Sequence, residues 1–337
     1  MPDKKADHQA PAAAAGEGEW DRTGPTDKGM GLVELTLDRG TRTTIIGQVY
    51  GLDYEIEGQG FRFSVYFDYY NRRLKVEDYE AGPARYRAMI ERLLFLADEN
   101  DFDRILLKAR EDDWRRFLKR GFVLEGQIKN YFHGADAFVL GRFSSEERLN
   151  SPAQVEENRT IEKIQGDARN ADYQAPALPE GYRVVPATEA YIPKMVQLYR
   201  RVFRTYPTPL SHPDYLQQTM RGHVIYRLIL NAKGDLVCAA SAEMNAEHSN
   251  AELTDCATRA SDRGKGLMFH LLTRVEADLR ERGIATGYTM ARAASGGMNA
   301  VFYRMGYEYG GRLVNSCDIG GGYENMNIWY KDLAGTT

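Results

Sequence analysis

One stretch, Ala251 to Met268 (A-E-L-T-D-C-A-T-R-A-S-D-R-G-K-G-L-M), constrains this chain more than any other. Apolar and polar residues alternate up to a short loop, Arg263-Gly264-Lys265-Gly266. Such alternation is the pattern of a strand with one buried face. Past the loop, Leu267, Met268, Leu271, Leu272 and Val275 recur at helical spacing. The loop therefore joins a strand to a helix N-terminus. Two glycines let the backbone approach a ligand closely, and the N–H groups of the first helical turn lack helical acceptors. A terminus of this kind attracts anions, pyrophosphate above all. The spacing is neither that of a nucleotide P-loop nor G-x-G-x-x-G. A tight strand-to-helix turn is the bland alternative.

The residues that follow add weight. Ala285 to Ala291 reads as a buried strand, and Met298 to Met305 as a short helix. Gly306 closes that helix as a C-terminal cap and Tyr307 opens a new strand. This order of strand, R-x-x-G-x loop, helix, strand and a helix ending Phe-Tyr-x-x-Gly-Tyr resembles the GCN5-related N-acetyltransferases (GNAT). Arg263 and Gly266 match that family's Q/R-x-x-G-x-G/A pattern, and Met268 stands at its last small position. A closer resemblance is to the β-lysine N6-acetyltransferases. It is carried by E-L-T-D-C-A-T, by G-M-N-A-V-F-Y-R-M-G-Y and by G-G-R-L-V-N with M-N-I-W-Y-K. It extends upstream through L-K-A-R-E-D-D-W and G-F-V-L-E-G-Q-I, and so covers residues 31–333.

The resemblance implies an α/β fold with a mixed sheet, the GNAT fold in the C-terminal half and a degenerate GNAT-like domain before it. It implies acetyl-CoA as cosubstrate, held by Cys256, Ala257, Thr258, Arg263, Gly264, Lys265, Gly266, Leu267, Met268 and Asn299. The expected reaction is transfer of acetyl to the N6 amine of β-lysine, whose product would serve as a compatible solute. Another small amine, such as lysine or a polyamine, is the alternative within that chemistry. A non-catalytic acyl-CoA-binding module is the alternative outside it.

Composition narrows the classes. A length of 337 residues exceeds one typical domain, and 43% hydrophobic residues support ordinary cores. A formal net charge of −4 gives no basic footprint for nucleic acid. No apolar run approaches the ~18 residues of a membrane span, and the first thirty residues lack a signal-peptide core. The three cysteines, Cys238, Cys256 and Cys317, are scattered, and the six histidines form no H-x-x-x-H pair. No disulfide framework, no metal site and a cytoplasmic location are the expectations.

Residues 1–30, with an Ala-Pro-Ala-Ala-Ala-Ala-Gly run, read as a disordered tail. A first unit spans residues 31–148, a partly helical linker without a core 149–179, and the catalytic unit 180–335. In the first unit, strands are expected at Thr43–Tyr50, Phe61–Asp68, Leu74–Tyr79, Arg104–Ala109, Val123–Ile128 and Ala137–Phe143, with helices at Pro83–Asn100 and Asp112–Lys119. In the second, a helix carries Ile192, Met195, Val196, Tyr199, Val202 and Phe203 on one face, and Ser211 caps another helix with Pro213 in its first turn. Val224–Leu230 and Leu236–Ala242 form a hairpin. The two units share element order, which suggests a degenerate duplication. The first lacks a basic loop: its connection is Tyr79-Glu80-Ala81-Gly82-Pro83, and Pro83 removes an N–H. That unit is expected not to hold CoA, but to pack on the catalytic unit, shape the acceptor pocket or make a homodimer contact.

Acetyl transfer to a lysine-type amine, pKa near 10.4, requires neutralising it at pH 7, a cost of roughly 4 to 5 kcal/mol. Glu252 and Asp255 are the carboxylates on offer. Period-2 alternation sends them to opposite faces unless a bulge intervenes. Glu252 is taken as base or proton relay and Asp255 as holder of the cationic acceptor, with reversed roles open. Tyr303 is the expected general acid for the leaving thiolate. A strand amide near Cys256 to Thr258 would polarise the thioester carbonyl. Cys256 has no histidine in a pairing position, so direct attack by the amine is the simpler mechanism. Arg204, Tyr206, Asp255, Asn315 and Asn327 are the candidates for binding a diamino acid.

Overall fold

A computed structural model describes residues 30–335. The expected disordered tail lies outside the described residues except for Met30, where the first strand begins. The first half contains β1 (Met30–Asp38), β2 (Thr41–Val49), β3 (Gly51–Gly58), β4 (Phe61–Asp68), β5 (Arg73–Ala81), α1 (Tyr86–Glu99), β6 (Arg104–Ala109), α2 (Trp114–Leu118), β7 (Val123–Phe132) and β8 (Ala135–Phe143). Then come α3 (Glu146–Leu149), α4 (Gln154–Gly166) and α5 (Ala168–Ala171). The second half contains β9 (Arg183–Pro186), α6 (Ile192–Val202), α7 (Pro213–Arg221), β10 (Val224–Leu230), β11 (Leu236–Asn245), β12 (Asn250–Thr258), α8 (Leu267–Glu281), β13 (Thr286–Arg292), α9 (Gly296–Arg304), β14 (Glu308–Asp318) and β15 (Tyr323–Asp332).

One mixed sheet of 13 strands crosses both halves in the order β3-β4-β5-β6-β8-β7-β14-β15-β13-β12-β11-β10-β9. Apart from β9 the order is palindromic. Each half has three antiparallel strands, one parallel step through a helix (β5–α1–β6 and β12–α8–β13), and a last strand inserted before its predecessor. A parallel step needs such a crossover because the chain must return to the starting edge. The first half therefore repeats the topology of the second.

The two halves meet where glycine lets backbones touch. Gly126 of β7 pairs with Gly311 of β14, and a Cβ on Gly126 would lie 2.6 Å from the Gly310 carbonyl oxygen. Beside this contact a fully buried Arg104–Glu125 ion pair closes at 2.5 Å, and Glu125 also accepts the Val314 N–H at 2.8 Å. Arg73 donates to the Ser316 carbonyl at 2.9 Å, and Asn250 to that of Tyr131 at 2.8 Å. Leu106, Ile128 and Val139 share a core with Tyr288, Ile328 and Tyr330 across the junction.

Three expectations need correction. Ser211 does not cap α7; His212 is the N-cap, and the Ser211 carbonyl accepts from Arg200. Residues 149–179 do contribute to a core. Ile161 is buried with the α8 residues Leu271 and Val275, and Ile164 is buried as well. Two isoleucines at i and i+3 give α4 an apolar edge that its charged majority hides in the sequence. Strands β1 and β3 were also not expected. β3 is an edge strand with Ile56 alone fully buried, so its alternation is faint.

Candidate functional site

Strands β12 and β13 pair at Asn250↔Thr286, Ala251↔Gly287 and Glu252↔Tyr288, and then part. The gap opens into a cavity of about 580 Å³, within the range of small-molecule sites. Leu253, Thr254, Asp255 and Cys256 line one wall, and Thr289, Met290, Ala291 and Arg292 the other. The lining is completed in part by Arg263, Gly264, Gly266, Leu267 and Met268 of the loop and α8, and by Val202, Phe203 and Tyr206 at and after the end of α6.

The loop has the backbone its sequence demands. Gly264 and Gly266 have φ of +77° and +71°, values that L side chains adopt at a cost. Gly266 is the N-cap of α8, and no side chain bonds to that terminus. Its N–H groups are therefore available to an anion beside the exposed Arg263. Lys265 does not face the cavity. Its Nζ bonds Asp262 at 2.7 Å and Tyr182 at 3.1 Å, and Arg259 bonds the other Asp262 oxygen at 2.6 Å. Burial opposes charge on Asp262, but Lys265 and Arg259 hold its carboxyl well below the usual range. This cluster braces the loop from behind.

A bulge settles the strand question. Along β11 and β12 the register runs Glu243↔Glu252 and Ser241↔Thr254, then slips to Ala239↔Ala257. The slip falls at Asp255, whose φ is +53°. Asp tolerates this left-handed region better than most residues. Asp255 accepts from the Ser241 hydroxyl at 2.7 Å, and Ser241 and Glu243 are two apart on one strand. Glu243, Glu252 and Asp255 consequently share one face of the sheet. Asp255 is 7% exposed. Burial pushes its carboxyl up to about 6, against hydrogen bonds from Ser241 and Tyr206 that favour the charge. Burial, then the facing Glu243, raises Glu252. Tyr199 lies in the field of Asp255, and its buried hydroxyl has no partner.

Of the expected cofactor residues, Cys256, Thr258, Arg263, Gly264, Gly266, Leu267 and Met268 line the cavity. Ala257 instead packs with the α6 core. Asn299 is fully buried and internally satisfied: its Nδ2 donates to Arg292 and Ser295 carbonyls, and its Oδ1 accepts from Asn327 and Trp329. Burial holds the Cys256 thiol well above its ordinary value, so it stays protonated and a poor nucleophile. Of the acceptor candidates, Tyr206 and Asp255 come together. Arg204 is exposed and outside the cavity. Asn315 ties down α3, donating to Glu147, Arg148 and Asn150 carbonyls. Asn327 accepts from Arg312 at 2.8 Å within the sheet. Polar side chains on buried strands are more often bonded internally than offered to ligands.

Tyr303 is turned away. Its hydroxyl donates to the Gln165 carbonyl at 3.3 Å, and its ring packs edge-on to Trp329 at 6.3 Å. Its neighbour Phe302 lines the cavity instead, because successive helical residues point about 100° apart. The cavity also gains residues that sequence reasoning missed. Tyr173 packs on Phe269 at 5.4 Å, and Arg304 lies over Tyr173 at 4.2 Å. Pro176 reaches Gly266 closely enough that a Cβ there would lie 3.1 Å from its Cδ. No local motif marks the linker residues Tyr173 and Pro176.

The family model for the acetyltransferase (GNAT) family matches residues 192–307, which include the bulge, the loop and α8. The N-acetyltransferase YodP of Bacillus subtilis is 37% identical over 279 residues, 82% of this chain and 98% of the relative. A β-lysine N(6)-acetyltransferase of Methanosarcina mazei is 38% identical over 63% of this chain and 85% of its own length. One of Methanococcus maripaludis is 31% identical over 72% and 87%. With its split β12–β13 wedge and uncapped glycine loop, the chain belongs to the GNAT family and is an acetyl-CoA-dependent N-acetyltransferase.

Proposed function

We propose that the chain transfers acetyl from acetyl-CoA to the N6 amine of β-lysine (3,6-diaminohexanoate), giving N6-acetyl-β-lysine, a compatible solute. Two relatives that bear that activity in their names support the reading. The observation that carries it is the bulge: it sets three carboxylates, Glu243, Glu252 and Asp255, on one face, Asp255 lining the cavity and the other two lying beyond its lining. A face so acidic suits an acceptor with two ammonium groups.

Bound acetyl-CoA supplies the activated acyl group. The N–H groups at Gly266 to Met268 and the Arg263 charge hold its diphosphate. Past Glu252, the edge of β12 facing β13 has no strand partner, so its amides are free to polarise the thioester carbonyl. Asp255 is the base for the attacking amine. Ser241 and Tyr206 orient it, and a value near 6 leaves it mostly ionised at neutral pH. Asp255 takes the first ammonium proton as the nitrogen becomes a neutral amine and releases it to solvent. With Tyr303 turned away, Asp255 then takes the second as the nitrogen attacks and returns it to the departing sulfur as the C–S bond breaks. Two N–H are lost, one S–H is gained and one proton goes to solvent. Glu252 and Glu243 hold the acceptor's positive charge.

The test is thiol release by the full chain with β-lysine, lysine, 1,4-diaminopentane and spermidine as acceptors. β-Lysine should give the highest kcat/KM. A preference for spermidine would sink the substrate proposal while leaving acetyl transfer intact.

A further inference from the structure

On the acetyl-transfer reading above, one end of the acceptor reaches Asp255, and the groups that meet its other end come partly from the first half. On β6, Leu107 points into the first-half core and Leu106 into the core shared between halves. Strand alternation gives Lys108 the face of Leu106, toward the second half. Its Nζ lies 5.3 Å from the Tyr131 ring centre and 6.0 Å from that of Tyr288. Tyr288 is in turn the cross-strand neighbour of Glu252. Lys108 and Glu252 thus flank one tyrosine from opposite halves, both half-buried.

Lys108 has tyrosine rings beside it, but neither charge is ion-paired among the described residues. Among the described residues, no carboxylate comes within 4.0 Å of Lys108, and Glu252 makes no hydrogen bond or ion pair. Their surroundings differ in this respect. Lys75 closes on Glu77 at 2.8 Å, and Glu243 meets His223 at 3.1 Å. Burial and Lys75 work against the Lys108 charge, but Tyr131, Glu77 and Glu252 more than offset them, and the ammonium persists. Half-burying two opposite charges apart from each other is costly unless something bridges them. A zwitterion bridges both. The bulge folds the three steps from Glu252 to Asp255 onto the two steps from Glu243 to Ser241, so the two carboxylates stand roughly 7 Å apart along the strand, a separation that the two amines of a short diamino acid span.

We propose that Lys108 and Glu252 form a subsite for the amino-acid end of the acceptor, Lys108 taking its carboxylate and Glu252 its ammonium. The degenerate half of the chain thereby sets acceptor specificity. An acceptor without a carboxylate places a bare cation beside Lys108 and is disfavoured.

The experiment compares wild type, Lys108→Met and Lys108→Arg on two acceptor pairs: β-lysine with 1,4-diaminopentane, and lysine with 1,5-diaminopentane. Thermal melting and acetyl-CoA KM confirm that each variant is folded and loaded. Lys108→Met should lower kcat/KM for the amino acids by about 30-fold, mainly through KM. It should raise kcat/KM for the diamines several-fold. Lys108→Arg should keep most of the preference for the amino acid. Equal losses on both members of a pair would make Lys108 structural and overturn the subsite. So would a wild type that favours the diamines. A wild type active on lysine but not β-lysine would refute the substrate proposed above and leave the subsite standing if its own pair shows the shift.

Discussion

The two crossovers of this molecule have the same topology and opposite contents. In both halves a bulge interrupts the strand before the helix: at Asp255 in β12, and between Val76 and Asp78 in β5. In both, the parallel pair parts after a few residues. In the second half the gap is a cavity of about 580 Å³. In the first half it is solid. Tyr79 donates to Asp113 at 2.7 Å and accepts the Arg110 N–H at 3.1 Å. Tyr86 donates to the other Asp113 oxygen at 2.7 Å, and Phe117 packs against both rings. The loops diverge likewise. Where the second half has two left-handed glycines before its helix, the first has Gly82-Pro83 and a turn closed by the Arg85 N–H on the Gly82 carbonyl at 2.8 Å, and neither helix has a side-chain cap. A duplicated scaffold becomes a site by leaving space and backbone donors open. It becomes a support by filling them.

The largest effect expected is that of Asp255→Asn. Loss of a proton acceptor should lower kcat by about 10²- to 10⁴-fold with acetyl-CoA KM nearly unchanged; a kcat within tenfold of wild type would transfer the role elsewhere. In wild type, kcat/KM should climb with pH through about 6, as Asp255 ionises, and then level. The sign for stability is opposite. The folded carboxyl titrates near 6 and the unfolded one near 3.8, so the native state binds more protons across that window. Stability falls as pH rises through it, and above it Asp255→Asn should melt higher than wild type, by up to about 3 kcal/mol. Denaturant titrations at pH 4 and 8 read this difference.

The junction comes next. Glu125→Gln leaves the buried Arg104 charge poorly matched, and stability should drop by about 3 kcal/mol, with both halves unfolding in one transition. Two separate transitions would show that the halves are independent bodies. Gly266→Val and Gly82→Ala test the loops directly. The first forces a β-branched residue to φ +71° against Pro176 and should raise acetyl-CoA KM about tenfold or more. The second adds a Cβ with its nearest neighbour 3.8 Å away and should leave acetyl-CoA KM within twofold. The smallest effect is that of Tyr303→Phe. Losing one hydrogen bond to Gln165 should cost about 1 kcal/mol of stability, with thiol release within twofold of wild type. A large fall in kcat would restore Tyr303 as proton donor.

Much of the scaffold was legible because local patterns carried it. Strands β4, β6 and β10 fall at Phe61–Asp68, Arg104–Ala109 and Val224–Leu230, as alternation and apolar runs require. Gly306 has the positive φ of a helix cap. The polar candidates were less legible. Asn299, Asn315, Asn327 and Lys265 carry the chemistry a ligand wants, yet each already has protein partners. Whether a donor is free or used depends on residues far away in the chain.

The chain by itself determined the loop: two glycines between an alternating strand and an amphipathic segment make an anion-seeking helix terminus, since backbone conformation and free N–H groups are local properties. It also determined the repeated element order. Only the tertiary structure decided that Asp255 joins Glu252 on one face, that Tyr303 turns outward, and that Lys108 meets Tyr288 from the other half. Those outcomes depend on register, on helical phase and on contacts between residues more than a hundred positions apart, and no local sequence pattern encodes them.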